Sequence, residues 1–357
     1  MGYTKEEKAM IWLDSFLLDY AKKAAVLKMF RDPYAAVSRF FEKEREIGAV
    51  VGEEMLEKMR ASLYNAAYLQ GVLSAYERAG IACVTCFSED YPEALRAADE
   101  PPFILYCKGD LALLHERKFA IVGSRRTPPQ AAKRAERIAQ GLSRAFVIVT
   151  GHADGGDTAA IAGALESGRI ICVLAFGFSH LSSAENGKLL ERVAERGLLV
   201  TEYAPAQSAR KYTFPARNRI IAGLAEGVLV VSGGEKSGTR ITARYAYDFG
   251  RDVFAFPYAI GDPMGAGCNQ LIKDYAKLTE DLVDITSVFG INLTEKESET
   301  LSPAEQQVYD CFGGAPLHIS EIAAKTGKKE HELSPVLIML AMKKKLVSCG
   351  GNRWAKT

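Results

Sequence analysis

The sequence predicts an α/β protein whose parallel sheet is preceded by a helical N-terminal domain and followed by a small winged-helix domain. Three observations lead to this prediction. Up to about residue 80, apolar residues recur three and four positions apart, the period of an amphipathic helix. Between residues 119 and 256, short continuous apolar runs alternate with helical stretches. Residues 302–357 then carry the pattern of three helices and two short strands.

Residues 1–80 form the predicted helical domain. The apolar residues that show the helical spacing most clearly are Ile11, Leu13, Phe16, Leu17 and Tyr20. Prolines and glycines then interrupt residues 80–115, and we interpret this interval as a bridge to the next domain.

A parallel sheet domain is predicted for residues 81–285. The strand candidates are 119–123, 146–150, 170–176, 198–202, 228–232 and 253–256. The helix candidates between them are 129–144, 158–166, 189–195, 217–225 and 239–249. Short apolar strands joined by helices of this length build right-handed βαβ units, whose helices cover both faces of the sheet.

The C-terminal part begins with a polar stretch, 286–301, which we predict to be a linker. Ser302 and Glu305 form a capping box with proline at the first helical position, a pattern that marks the start of a helix. The predicted helices cover 303–312, a segment near 320–325 and part of 329–345, and a strand-turn-strand follows at 346–354. This order of elements predicts a winged-helix domain over residues 302–357.

The composition excludes an overall basic field, because the formal net charge is only +1. Any nucleic-acid site must therefore come from a local cluster of cations. No apolar run reaches the roughly 18 residues that cross a bilayer. The charged start of the chain lacks a signal-peptide core. We therefore expect a cytoplasmic protein that does not bind membranes.

The seven cysteines lie mostly in apolar, strand-like runs, which is typical of buried free thiols. Cys83 and Cys86 form a C-x-x-C pair, but no second pair at ligand spacing accompanies it. Residues three apart on a strand also point to opposite faces. We therefore predict no metal site.

Ligands of open parallel sheets bind beyond the carboxyl ends of the strands, so the loops there are the candidates. The first strand ends in Gly123, Ser124 and Arg125, where backbone N–H groups and a cation can meet a phosphate. A glycine-rich loop, 233–239, follows the fifth strand, and its Gly238 and Thr239 suit a sugar-phosphate contact. The G-x-G-x-x-G and P-loop patterns are absent, so we predict no nucleotide cofactor.

The segment 211–219, Lys-Tyr-Thr-Phe-Pro-Ala-Arg-Asn-Arg, is the most informative part of the sequence. It follows the fourth strand and combines three cations with two aromatic residues. Aromatic side chains stack on bases, and Lys or Arg neutralises phosphates. The segment therefore predicts binding of single-stranded DNA. No nucleophile elbow, H-E-x-x-H or paired-carboxylate motif accompanies it, so we predict no catalytic residues and no enzyme activity.

Five segments, in this order, closely resemble the DNA-processing protein A family (DprA, also called Smf). They are FAIVGSR at 119–125, FPARNRIIAGL at 214–224, SGTRITA at 237–243, GRDVFAFP at 250–257 and GCNQLI at 267–272. The family's S-G-x-A-x-G-I-D-x-x-A-H pattern is represented here by 150–161, with Asp154 at an often basic position and Ile161 in place of histidine.

The resemblance implies an extended Rossmann-like fold that binds single-stranded DNA without base specificity. It also implies a homodimer that recruits the recombinase RecA and loads it on incoming strands during natural transformation. Arg125, Lys211 and Phe214 would be the contacts, and Arg217, Asn218 and Arg219 would shape the same pocket. We expect Arg125, Lys211 and Phe214 to face one crevice, because the strand ends before them can be neighbours in a doubly wound sheet.

Two other classes of protein remain as alternatives. The first is a nucleotide-processing hydrolase similar to the lysine-decarboxylase-like phosphoribohydrolases. Those enzymes follow a G-G-x-G-T loop with a catalytic glutamate, but residues 240–243 here contain none. The second is a duplex-DNA-binding regulator that would use the winged-helix domain, with the lysine run 343–345 as its candidate contact.

Overall fold

The computed structural model describes residues 2–30, 32–293, 301–313, 315–343 and 345–356. The chain divides into two compact units, one ending at Leu293 and the other beginning at Thr294. The acidic and basic run 295–299 of the predicted linker lies outside the described residues.

The N-terminal helices of the first unit are α1 (Lys5–Asp14), α2 (Tyr20–Lys28), α3 (Pro33–Ser38), α4 (Glu44–Val51), α5 (Glu53–Tyr64) and α6 (Tyr68–Arg78). Side chains cap the first three: Thr4 forms a capping box with Glu7, and Asp19 and Asp32 accept from the first turns of α2 and α3. Trp12 and Phe40 are buried in the core between these helices. A domain boundary near residue 80 stays a prediction.

Within residues 32–293, nine strands form one sheet. They are β1 (Ala82–Thr85), β2 (Ile104–Gly109), β3 (Lys118–Val122), β4 (Val147–Thr150), β5 (Ile170–Val173), β6 (Leu198–Thr201), β7 (Gly227–Val230), β8 (Asp252–Ala255) and β9 (Lys277–Leu278). Their order is β1-β2-β6-β5-β4-β3-β7-β8-β9. The pairs β1–β2 and β2–β6 are antiparallel, and all the others are parallel.

The helices that accompany the sheet are α7 (Glu93–Arg96), α8 (Pro129–Leu142), α9 (Gly156–Leu165), α10 (Gly187–Arg196), α11 (Thr213–Leu224), α12 (Gly238–Asp248), α13 (Ala266–Asp274) and α14 (Leu282–Thr286). Helices α8, α9 and α10 pack on one face of the sheet, and α7, α11, α12 and α13 pack on the other. The predicted α/β class, with a parallel sheet covered on both faces, is confirmed. The six predicted strands and five predicted helices are all present, with shifted ends.

The interpretation of residues 80–115 as a bridge was wrong. This interval contributes β1 and β2, which extend the parallel sheet with two antiparallel strands. Both strands are short and largely buried. The run 81–87 around Cys83 and Cys86 did show the alternation of a strand, and β1 lies within it. The β2 segment is a continuous apolar run without that alternation, and the prolines just before it dominate the local pattern.

The second unit contains α15 (Pro303–Tyr309), β10 (Leu317–His318), α16 (Ile319–Thr326), α17 (Glu330–Met342), β11 (Leu346–Gly350) and β12 (Arg353–Lys356). The predicted capping box of Ser302 and Glu305 is present. Among the described residues the three strands form an antiparallel sheet in the order β10-β12-β11. The short strand β10 was not predicted. The winged-helix assignment agrees with this order and stays a prediction.

The predicted boundary at residue 285 is too early. Phe289 lies among three core phenylalanines, with ring centroids 5.9 Å from Phe119, 5.4 Å from Phe146 and 6.2 Å from Phe254. Ile291 also packs against this core. The polar residues around Phe289 favoured a linker in the sequence, but its ring closes the sheet's core beside α14. The first unit therefore extends beyond 286.

This packing predicts that Phe289→Ala lowers the free energy of unfolding of the first unit by about 2–3 kcal/mol, because it removes a ring from an aromatic cluster. The matched control is Val288→Ala, since Val288 is 40% exposed. That change should stay within about 0.5 kcal/mol of the wild type. Chemical denaturation of the full chain measures both. Equal effects of the two substitutions would contradict the packing of Phe289.

Candidate nucleic-acid interface

A cavity of about 310 Å³ opens at the carboxyl edge of the sheet, where α9, α11 and α12 begin. We call it the crevice. The loops after β3, β4 and β7 form its walls together with the first turns of these helices. The predicted site residues that line it are Gly123, Ser124, Arg125, Phe214, Arg217, Asn218, Gly238 and Thr239. Helix N-termini directed at one cavity favour an anionic ligand.

Arg125 and Phe214 do meet in the crevice, but the expected reason was wrong. The strands before them, β3 and β6, are not neighbours, because β4 and β5 lie between them. The start of α11, which follows β6, instead lies beside the loops after β3 and β4, because residues of all three line the crevice. There the Phe214 ring centroid lies 5.9 Å from the Arg125 guanidinium carbon.

The buried carboxylate of Asp157 joins two loops of the crevice. One oxygen accepts from the backbone N–H of Gly123, and the other accepts from that of Ala153, each at 3.2 Å. Burial raises the pKa of Asp157, although the nearby Arg217 opposes this change. Both oxygens are thus engaged in holding the backbone.

Gly155 allows the same two loops to touch. Its φ is +87°, and a Cβ at this position would lie 2.3 Å from the carbonyl oxygen of Ser124. A residue with a side chain would therefore be strained and would also push the loops apart.

Hydroxyl groups connect the loops after β3 and β7. The Ser232 hydroxyl lies 3.0 Å from the Ser124 backbone nitrogen and 2.5 Å from the Thr127 hydroxyl. On the other wall, the Asn218 amide donates to the Gly238 carbonyl at 3.3 Å. The Ser232 contacts thus join the loops of two strands of the sheet, and the Asn218 bond joins α11 to α12.

Two of the predicted cations are buried and form contacts within the protein. Arg217 is buried and donates to the Val173 carbonyl and, at 3.1 Å, to Asn218 Oδ1. Burial lowers the pKa of Arg217. Arg219 forms a bidentate ion pair with Glu202, at 2.9 and 2.6 Å, and does not line the crevice. Burial alone would lower the pKa of Arg219, but the Glu202 carboxylate raises it.

The remaining predicted cations are exposed. The Arg125 side chain is 60% exposed at the mouth of the crevice, and a guanidinium nitrogen lies 3.7 Å from the Glu185 carboxylate. Lys211 is also exposed, but it precedes α11 and is not among the residues that line the crevice. Of the predicted cations that line the cavity, Arg125 is therefore the exposed one, whereas Arg217 is buried.

His152 packs against Phe214, and the sequence analysis did not predict this packing role. The imidazole is buried, with its centroid 5.1 Å from the Phe176 ring and 5.7 Å from the Phe214 ring. Its Nε2 has no hydrogen-bond partner in the described part of the chain. Burial, with the nearby Arg217 and Arg125, lowers the pKa of His152 to about 3. The neutral imidazole thus packs as an aromatic ring. A lone histidine in a glycine-rich loop gives no sequence signal for such a packing role.

The described residues contain no group of three metal-ligating side chains. No helix in the described ranges is long and apolar enough to cross a membrane. Asp157 is the one carboxylate among the described residues that line the crevice, and it binds backbone N–H groups.

The fold and the crevice define a class: doubly wound α/β proteins with a crevice at the carboxyl edge of the sheet and without a dinucleotide fingerprint. The family model for DNA recombination-mediator protein A matches residues 82–290, more than half of the 357 residues. The chain belongs to this family.

The relatives agree with this assignment. The DNA processing protein DprA of Bacillus subtilis is 40% identical over 220 residues, which cover 61% of this chain and 74% of the relative. The X-ray structure of DprA from Streptococcus pneumoniae covers 80% of this chain and 98% of its own, with a TM-score of 0.65 and 31% identity. A Helicobacter pylori structure, described as giving the single-stranded DNA binding mode of DNA processing protein A, covers 58% of this chain and 95% of its own, with a TM-score of 0.53 and 28% identity.

The depressed pKa of His152 predicts an acid sensitivity of folding. Below about pH 6.5 the unfolded chain binds a proton that the folded chain excludes down to about pH 3. Stability is therefore lost as the pH falls through this window, by about 2 kcal/mol at pH 5. His152→Phe, which keeps a ring but cannot titrate, should remove this part of the pH dependence.

Denaturation between pH 5 and pH 8 measures this effect. The control is His115→Gln, because the His115 side chain is 56% exposed. That variant should keep the acid sensitivity of the wild type. An identical pH dependence in wild type and His152→Phe would show that His152 is not held neutral.

Proposed function

We propose that the crevice binds single-stranded DNA without base specificity. The observation that carries this proposal is the contact between the Arg125 guanidinium and the Phe214 ring, 5.9 Å apart on a cavity walled by helix N-termini. Arg125 would pair with a phosphate, and Phe214 would stack on a base. Neither interaction reads the hydrogen-bonding edge of a base, so sequence preference should be slight.

The binding mode named for the Helicobacter pylori relative supports this ligand. The positions of the glycine loops support it too, since Gly123 and Gly238 let a sugar-phosphate backbone approach the helix ends closely.

A phosphoribohydrolase activity is not favoured. The helix after the glycine loop begins Gly-Thr-Arg-Ile-Thr-Ala and carries no glutamate there. Asp157, the candidate replacement, already accepts two backbone hydrogen bonds. Incubation with nucleoside monophosphates should therefore release no free base.

Duplex recognition through the second unit is not favoured either. The exposed residues in the second half of α17 include Ile338 and Met339, 53% and 47% exposed, where a recognition helix would carry polar or basic side chains. Lys343 forms an ion pair with Glu305 at 2.9 Å. The middle lysine of the run 343–345 lies outside the described residues.

Two substitutions test the proposed contacts. Arg125→Ala should weaken binding of single strands and flatten the dependence on salt, with a change in log-log slope of roughly 0.7 for the lost phosphate contact. Phe214→Ala should cost about 1–3 kcal/mol of binding free energy and leave the slope nearly unchanged, because stacking releases no counterions. Fluorescence anisotropy with a labelled oligothymidylate at several salt concentrations measures both quantities.

The matched controls are Arg126→Ala and Tyr212→Ala, exposed neighbours of the same types that do not line the crevice. Melting curves of all four variants identify any loss that comes from unfolding. Wild-type affinity in both Arg125→Ala and Phe214→Ala, at every salt concentration, would place the binding site elsewhere.

We further propose that the protein acts in the cytoplasm as a homodimer that recruits RecA to bound strands during natural transformation. The family's description as a recombination mediator supports this role. A dimer would present two crevices, so an oligonucleotide long enough to reach both should bind more tightly than a short one.

Light scattering and RecA assembly on single strands test this finer proposal. We expect a dimer at micromolar concentration and faster RecA assembly in its presence. A monomer whose affinity does not depend on oligonucleotide length would contradict the dimer, and an unchanged RecA assembly rate would contradict the mediator role.

A further inference from the structure

A second groove, of about 580 Å³, adjoins the crevice on the outer side of α12. The two share Ser237, which lines both. The groove is the larger of the two and runs from the glycine loop after β7 along α12 towards α13. A ligand that leaves the crevice past Ser237 therefore enters this groove.

The size of the crevice requires such an exit. Its volume of about 310 Å³ lies at the lower end of the roughly 300–1,000 Å³ of small-ligand sites. Proteins that bind single strands contact roughly 4–16 nucleotides per domain. A strand held in the crevice must continue over the surface, and its path depends on where cations lie.

The charges of the groove are separated along α12. Lys236 and Arg240 lie at the end that adjoins Ser237, and Lys236 is exposed. One guanidinium nitrogen of Arg240 donates to the Glu235 carbonyl at 2.7 Å, which positions the side chain beside the loop. Arg244, one helical turn further on, is paired with Asp248 at 2.9 Å.

One acidic side chain, the exposed Glu235, lies at the near end beside Lys236 and offsets part of the positive charge there. The other acidic side chains lie at the far end. Asp248 is paired with Arg244, and Asp274 accepts from the Gln270 amide at 2.7 Å. Between these groups, Ile241 and Tyr245 give the groove an apolar wall. The near end thus offers two cations beside an apolar surface, the combination that suits a sugar-phosphate backbone with its bases turned inward.

We propose that the near end of this groove, through Lys236 and Arg240, binds the phosphates of the strand segment that leaves the crevice. This inference rests on the proposed binding of single-stranded DNA in the crevice and extends it to a defined path. The path is short, because the next cation after Arg240 is Arg244, which is already paired with Asp248.

The double variant Lys236→Ala/Arg240→Ala tests the path with two oligothymidylates, a dinucleotide as the short strand and a long strand of about 12 nucleotides. The dinucleotide is too short to reach from the crevice into the groove, so the short strand should bind to the variant as it does to the wild type. The long strand should lose roughly tenfold in affinity at physiological salt, and its log-log salt slope should fall by about 1.4, or 0.7 for each lost contact.

The matched control is Lys133→Ala/Arg137→Ala, which removes the same charge from two exposed residues of α8. It should bind both oligonucleotides like the wild type. Equal affinity of the groove variant and the control for the long strand would overturn the path. A loss for the short strand as well would also overturn it, since the two cations would then belong to the crevice. If the wild type binds neither strand, the proposed function itself fails. That result differs from a failure of the path alone, in which the wild type still binds both strands.

Discussion

The two hydrogen bonds that the Asp157 carboxylate accepts set the shape of the crevice. They hold the loop after β3 against the loop after β4, with Gly123 and Ala153 as donors. The carboxylate can be buried there because those N–H groups and the charge of Arg217 offset part of the cost of removing it from water. Arg217 in turn reaches the carbonyl at the end of β5. One buried polar network thus connects three strand ends to the start of α11.

This network explains why some of the cations are buried in structural contacts while another is exposed at the crevice. The arginines inside α11 maintain the architecture, Arg217 through the Val173 carbonyl and Arg219 through Glu202. Arg125 stands on the loop that Asp157 fixes, and its side chain is 60% exposed. An exposed cation on a loop held in this way suits the proposed contact with phosphates of any sequence. The aromatic partner Phe214 is held on the opposite wall by the neutral ring of His152.

Much of the fold and part of the site could be predicted from the sequence. The buried parallel strands and the glycines after them have local signals, so the carboxyl-edge loops and residues such as Ser124 and Gly238 were found. The ion pair of Arg219 could not be predicted, because its partner Glu202 lies 17 residues earlier in the chain and only the folded chain brings the two together. The packing of Phe289 depends in the same way on core residues far away in the sequence.

Photocross-linking tests most directly whether a single strand lies in the crevice. An oligonucleotide in which bromouracil replaces thymine forms adducts with aromatic side chains that stack on its bases, and peptide mapping identifies the residue. The account predicts that the main adduct lies on Phe214, that it is lost in Phe214→Leu, and that unlabelled single strands of any sequence compete with it. Adducts confined to residues 301–356, or to the exposed Tyr64 of α5, with none on α11, would contradict it.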